Sequence, residues 1–376
     1  MNFGDTPEEA TFRQELRKWL AANVPEGPAP LGGPARAQFW AKWHRALFRG
    51  GWMGLSWPVE YGGRGLSPIY EAILADEVGA AGAPPVPHVG YLGRALLHYG
   101  TPEQRRRHLP GLLSGEETWC QGFSEPGAGS DLAALSTRAE RAEDGGYRVH
   151  GQKVWTSDAA WADWCLLLAR TDPQAPRHRG ISALVVDMRA PGVTVRPIRQ
   201  INGDEEFNEV FFDGTPVPAD RLVGEPGQGW EIAMTTVSYE RGPADIGFSS
   251  RYARTLRRLE EVARQRQVPP ATRRELARAY VHTEVLRLHV LRSLSARMAG
   301  GTPGPQSSVD KLLSTRTEQL LHHAAMDLHG SGPLLGDDGE VLFDYLYSRG
   351  SSIAGGTSQI QHSIVAERLL GLPRAR

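Results

Sequence analysis

The chain has 376 residues, with 42 Lys plus Arg against 43 Asp plus Glu and 40% hydrophobic residues. That length suits two or three packed domains rather than one small core. The balanced charge gives no electrostatic footprint for nucleic acid or an anionic membrane surface, and no run of about 18 apolar residues suggests a membrane span.

In chain order, the first segment reads as helical. Thr6-Pro7-Glu8-Glu9 supplies a hydroxyl cap, a proline at the first helical position and two acids in the first turn. Phe12, Leu16, Trp19 and Leu20 follow at helical spacing. A Pro/Gly-rich loop over 25–34 leads to a second helix with Phe39, Trp40, Trp43 and Leu47, then to the Gly-punctuated turn WPVEYGGRGLS from Trp57 to Ser67. Helical spacing resumes over Ile69–Val78 and Leu92–Leu97, and Thr101-Pro102-Glu103 caps a further helix.

The pattern changes at 119. Tyr147–His150 alternates with period two, and Trp164–Leu168, Ile181–Val186 and Glu209–Asp213 are short runs bounded by turn residues such as Pro191-Gly192, Asn202-Gly203 and Asp213-Gly214. A compact antiparallel β domain is expected. Helices return from Trp230. Ala277, Val281, Val285, Leu288 and Leu291 are read as a buried stripe, after a polar break at about 263–275. A loop over 299–308, a helix from Ser308 to His329, a loop over 330–339 and a last helix from Ser358 to Leu370 complete the chain. The expected fold class is α+β and multidomain: an N-terminal helical domain over 1–118, a central antiparallel β domain over 119–228 and a C-terminal helical bundle over 229–376.

Cys120 and Cys165 form neither a disulfide framework nor a metal spacing and read as reduced interior thiols. The histidines include the adjacent pair His322-His323 but no H-E-x-x-H, so no metal site is expected. The acidic, helix-like beginning has no signal- or transit-peptide character, and a cytoplasmic protein is the expectation.

Two segments carry the chemistry: WCQGFSEPGAGSD from Trp119 to Asp131, and GQKVWTS ending at Ser157. A Gly/Ser-rich loop allows close backbone approach and leaves N–H groups for an anion or a ring edge. Trp155 can cover a planar ring, and Thr156 and Ser157 can hydrogen-bond its rim. Neither segment is a G-x-G-x-x-G fingerprint. On the residues alone they indicate a site for an anion or a planar cofactor between strands.

With IAGGTSQIQHSIVAERLLGLP from Ile353 to Pro373, these segments resemble the acyl-CoA dehydrogenase family, and the likeness extends over nearly the whole chain. The resemblance implies FAD as cofactor and an acyl-CoA substrate. A carboxylate removes the α-proton while the β-hydrogen passes as hydride to flavin N5, giving the trans-2-enoyl-CoA. The electrons then pass to an electron-transfer flavoprotein. It places Gln121, Phe123, Ser124, Gly129 and Ser130 around the flavin, with Ser130 also near the CoA chain. Trp155, Thr156 and Ser157 lie against the ring, with Ser157 near N5. Thr357, Ser358 and Gln359 open the last helix toward the FAD pyrophosphate. Taken alone, Thr357 and Ser358 read as an ordinary helix cap.

The resemblance breaks where much of the family has its catalytic glutamate, because here that position is Gly355. A smaller set of members carries the base on the helix that opens the C-terminal domain, and the matching residue is Glu240 in SYERG. A carboxylate removed from water is a stronger base, and a glycine at 355 leaves room for it. The other reading of Glu240 is a helix-surface ion pair. By the same resemblance Ser238, Tyr239 and Arg241 border the substrate cavity, and Gly355 and Gly356 lie at the thioester. Pocket depth depends on side chains such as Leu92, Leu96 and Gly242. RQRQVPPATRR stands where the family often reads Arg-Lys-Thr-Phe-Gly, a stretch that reaches a neighbouring subunit's FAD. Arg264, Arg266 and Arg273 are candidates to compensate. The His329-Gly330-Ser331-Gly332 stretch also departs from the family's Gly-Gly motif. A homo-oligomer is expected, tetramer before dimer, with a hetero-oligomer as a further option. Two other functions stay open: a flavin oxidase or monooxygenase on the same fold, and a non-catalytic flavin-binding subunit.

Overall fold

A computed structural model describes residues 4–87, 89–240, 243–298, 304–337 and 339–374, without the side chains of 89, 240 and 243–245. The described residues form two compact units. One comprises 27–65 and 87–240, the other 1–26, 66–86 and 241–376.

The first unit holds helices α2 (Gly33–Arg49), α4 (Val89–Tyr99), α5 (Pro102–Ser114) and α6 (Gly229–Glu240), and the whole sheet. The second holds α1 (Pro7–Asn23), α3 (Ile69–Ala81), α7 (Pro243–Arg264), α8 (Pro270–Met298), α9 (Gln306–His329), α10 (Gly339–Tyr347) and α11 (Ser358–Ile364), the last continued by a π-helical turn over Val365–Leu369. The expected caps form as capping boxes. Thr6 Oγ1 accepts from the Glu9 N–H while the Glu9 carboxylate accepts from the Thr6 N–H, and Thr101 and Gln104 repeat the exchange on α5. The Gln104 side-chain amide also donates to the carbonyls of Asp220 and Leu222, at 2.7 and 2.8 Å, so the same residue fastens α5 to the end of the sheet.

The strands are β1 (Trp119–Gly122), β2 (Arg138–Arg141), β3 (Tyr147–Ser157), β4 (Trp164–Arg170), β5 (Ile181–Asp187), β6 (Val193–Pro197), β7 (Phe207–Val217) and β8 (Leu222–Val223). Their order is β6-β7-β3-β2-β4-β5-β8, with β1 beside β4. The sheet is mostly antiparallel, as expected, with one departure: β1 runs parallel to β4, Trp119 opposite Trp164 through Gly122 opposite Leu167, and β2 meets β4 in the parallel sense at Arg138 opposite Arg170. The long excursion between β1 and β4 allows a parallel pairing that no hairpin could make. Cys120 and Cys165 face each other across that seam, free and buried with Val149, Leu167, Leu184, Val186, Val210 and Phe212.

Two sequence readings are corrected. Helix α8 forms, but its buried face is Thr272, Ala279, Thr283, Leu286 and Val290. The stripe read as buried is outward: Val281, Val285 and Leu288 are 56, 46 and 50% exposed, Ala277 is exposed and Leu291 half-buried. Spacing identifies an apolar face but not which of two faces meets the rest of the chain. Here the inward one is inconspicuous because it includes threonine, whose Thr283 hydroxyl donates to its own helix at Ala279 O, 2.8 Å away. Helix α10, over GEVLFDYLY, occupies a stretch that the sequence reading left without an element.

Candidate active site

Strand β1 delivers Gln121, half-buried, to a tight turn in which Glu125 and Ala128 exchange both backbone hydrogen bonds around Pro126-Gly127. Phe123 is buried, whereas Gly129 and Ser130 lie exposed beyond the turn. A side chain built at Gly127 or Gly129 would meet nothing within 4 Å, so this face of the loop is open.

Strand β3 runs beside it and contains a bulge. Lys153 pairs with Val210 but Thr156 with Asn208, three residues against two. The extra residue swaps inside for outside. Lys153 is fully buried, while Trp155 is turned out, 59% exposed, with its ring edge-on to Phe207 at 6.1 Å. Trp155 and Asp158 both have φ of +60°, the only non-glycine residues with positive φ among those described. Such conformations cost a side chain about 1–2 kcal/mol and persist where surrounding contacts impose them. Thr156 points inward. Its carbonyl accepts from Asn208 Nδ2 at 3.0 Å, and its buried hydroxyl has no partner among the described residues. Ser157 is half-buried at the strand's end.

Behind that end lies an ion cluster the sequence reading did not single out. Arg36, itself buried, donates to Asp204 at 3.0 Å and stands 3.9 Å from both Asp158 and Glu206. Three acids share one guanidinium. Loss of water and the charges of Glu206 and Asp204 outweigh the pull of Arg36, and the Asp158 carboxyl is pushed up to about 7. Also unforeseen is the buried pair Glu125–Lys153, 2.8 Å apart, although both residues stand inside the two motifs quoted from the sequence.

Helix α6 places Tyr239 against α4. Its hydroxyl is 3.1 Å from His98 Nε2, the two rings stack at 5.6 Å, and the Arg94 guanidinium lies 5.6 Å over the tyrosine ring. Ser238 donates to Thr235 O at 2.7 Å. Leu92 and Leu96 are core residues. The backbone of α6 ends at Glu240, whose side chain lies outside the described residues, as do Arg241 and Gly242 entirely.

In the other unit, Gly355 and Gly356 form a left-handed turn with φ of +63° and +91°. The buried Gln361 amide donates to both their carbonyls, at 3.1 and 3.2 Å, so the turn is held from the helix it precedes. Thr357 is the N-cap of α11, its hydroxyl accepting from the Ile360 N–H at 3.2 Å. Ser358 borders a cavity of about 370 Å³ between α9 and α11, lined also by Leu312, Arg316, Gln319, Ser352 and His362, while Gln359 is exposed. Among the described residues no cluster of three His, Cys, Asp or Glu could hold a metal, and no helix is long and apolar enough to cross a membrane.

Three family models match consecutive stretches: the acyl-CoA dehydrogenase N-terminal domain over 6–116, the middle domain over 120–215 and the C-terminal domain over 227–370. The chain belongs to the acyl-CoA dehydrogenase family. It is 43% identical to the acyl-CoA dehydrogenase IpdE1 of Mycolicibacterium smegmatis, covering 98% of each chain. It is 30% identical to the human mitochondrial short-chain specific acyl-CoA dehydrogenase over 85% of this chain and 80% of that one. Among solved structures, the Tcur3481-Tcur3483 steroid ACAD aligns over 100% of both chains with a TM-score of 0.88 and 32% identity. The ChsE4-ChsE5 complex from Mycobacterium tuberculosis does so with 0.84 and 31%.

This acyl-CoA dehydrogenase fold therefore carries an FAD-dependent oxidoreductase acting on acyl-CoA. The features of the sheet unit fit a flavin. An outward indole is held beside an open Gly/Ser loop, at a strand end where one carbonyl is tied up by Asn208 and Ser157 is half-buried.

Proposed function

We propose that the enzyme forms the α,β-double bond of an acyl-CoA with Glu240 as the base that takes the α-proton, and that its electrons leave to an electron-transfer flavoprotein. FAD, when bound, supplies the acceptor for the β-hydrogen. The observation that carries the choice of base is Gly355. The usual carboxylate is missing there, the backbone is held at φ +63° by Gln361, and a glutamate stands at the alternative position, at the end of α6. In this reading Gln121, Phe123, Ser124, Gly129, Ser130, Trp155, Thr156 and Ser157 face the flavin. Thr357, Ser358 and Gln359 take its pyrophosphate end, and Ser130, Ser238, Tyr239, Arg241, Gly355 and Gly356 border the thioester. The working segments are 1–118, 119–228 and 229–376.

A bulky, steroid-derived acyl group is the substrate class we favour, because two full-length structural relatives are a steroid ACAD and a two-protein complex with the same fold. The outward stripe of α8 supports assembly with a second chain, identical or related.

Anaerobic titration with straight-chain, branched and steroid-side-chain CoA thioesters tests this reading. Bleaching of the oxidised flavin by the last class is expected. Glu240→Gln, nearly isosteric but unable to take a proton, should slow bleaching at least about 100-fold, in line with loss of a general base. An unchanged rate would remove Glu240 from the reaction. Hydrogen peroxide formed one-to-one in air would replace the flavoprotein acceptor with oxygen.

A further inference from the structure

Lys153 is the one fully buried lysine among the described residues. Its ammonium donates to Glu125 Oε1 at 2.8 Å and to the carbonyl of Phe123 at 3.0 Å. The Glu125 carboxylate in turn accepts from the N–H and hydroxyl of Ser136, at 2.7 and 2.8 Å, and from the Thr137 N–H at 2.9 Å. Next to this, the Val154 N–H donates to Ser124 O at 3.0 Å. One ion pair therefore grips the start and the end of the 123–137 loop and fastens both to β3, one residue before the bulge that turns Trp155 outward.

Stability alone is a poor account of this arrangement. Burying two charges costs several kcal/mol per ion, and an apolar pair of similar volume is often as stable or more so. Hydrocarbon would not fix where the loop sits, because it is non-directional. An ammonium and a carboxylate sharing five directional bonds specify one position. Burial works against the charge on Glu125, but Lys153 and the donors of Ser136 and Thr137 overcome it and hold its carboxyl at about 2, whereas burial lowers the Lys153 ammonium against the opposing pull of Glu125.

We propose that Lys153 and Glu125 are positioning residues for FAD: their pair sets the spacing between the loop bearing Ser124, Gly129 and Ser130 and the strand bearing Trp155 and Ser157 before any cofactor arrives. This rests on the assignment of those two segments to the flavin.

The test compares the parent with the double exchange Lys153→Met/Glu125→Leu, which strands no lone charge in the core. Apoprotein melting temperature and FAD dissociation constant, the latter from flavin fluorescence, are read for both. The proposal expects the double variant to melt within a few degrees of the parent yet bind FAD at least about 10-fold more weakly. Equal FAD affinity in the two proteins would overturn it. Hydrogen exchange on the parent apoprotein gives a reading independent of how the variant folds. The amides of Ser136, Thr137 and Val154 should be protected before FAD is added, and protection that appears only with FAD would overturn the proposal. If FAD binds the parent but changes exchange nowhere in 121–130 or 155–157, the underlying flavin assignment fails instead.

Discussion

At the scale of single residues, conformation and charge are concentrated at the end of β3. Trp155 and Asp158 bracket Thr156 and Ser157 with positive φ, and Asp158 shares Arg36 with two other acids. An aspartate whose carboxyl ionises near 7 when folded and near 3.8 when unfolded holds a proton in the native state that the unfolded chain has lost. Its contribution to stability therefore falls as pH rises from about 4 to about 7 and is lowest above that. Asp158→Asn should gain stability relative to the parent across this window and run parallel to it above about pH 8, as read by urea unfolding at pH 5, 6, 7 and 8. Equal differences at all four would show that Asp158 does not titrate there. The family was legible at this scale, since the motifs that carry the resemblance are local strings. Arg36 and Asp204 were not, because each acts through a partner that only the folded backbone brings near, 168 positions away in the chain.

Elements were legible where caps and periodicity agree, as for α1, α5 and the strands around β3 and β4. They were less so where a helix has two apolar faces, as in α8. Helix packing held one further surprise. Gly79 on α3 and Gly247 on α7 let the two backbones touch. A methyl group at 79 would run into the Gly247 carbonyl, and one at 247 would stand 2.9 Å from Ala75 O. The same crossing carries the bond from the Ser250 hydroxyl to Asp76, and Arg13 on α1 bridges Asp76 and its neighbour Glu77 at 2.7 and 2.6 Å. Gly79→Ala should cost about 1–3 kcal/mol, the range for overpacking, although alanine is the better helix former. Thermal denaturation should show the loss, and a rise in melting temperature would mean that the helices separate without penalty.

For the whole molecule, the outward face of α8 is apolar surface that this chain does not bury among the described residues. Tyr280, Val281, Val285 and Leu288 together leave a continuous apolar strip on a helix whose opposite face is already packed. Val281→Glu with Leu288→Glu should shift the protein to smaller species in light scattering at micromolar concentration while leaving far-ultraviolet circular dichroism unchanged. An unaltered mass would place the contacts between chains elsewhere. The expectation of an oligomer could be written from the family resemblance, but the exposure of this stripe could not, because its spacing looks the same whether it faces the core or solvent.

The parallel seam between β1 and β4 also bears on how the protein is made. Thr118 and Asp163, joined at the mouth of that seam, are 45 positions apart, with the β2–β3 hairpin lying between them. Bringing such distant strands together forfeits chain entropy before any pairing repays it, so pairings of this kind form slowly. Everything from the Pro126-Gly127 turn to Ser157 hangs inside that closure. Trp155 and Ser130 both lie within this forty-five-residue circuit, so their segments reach their final places beside β1 and β4 only once it has shut.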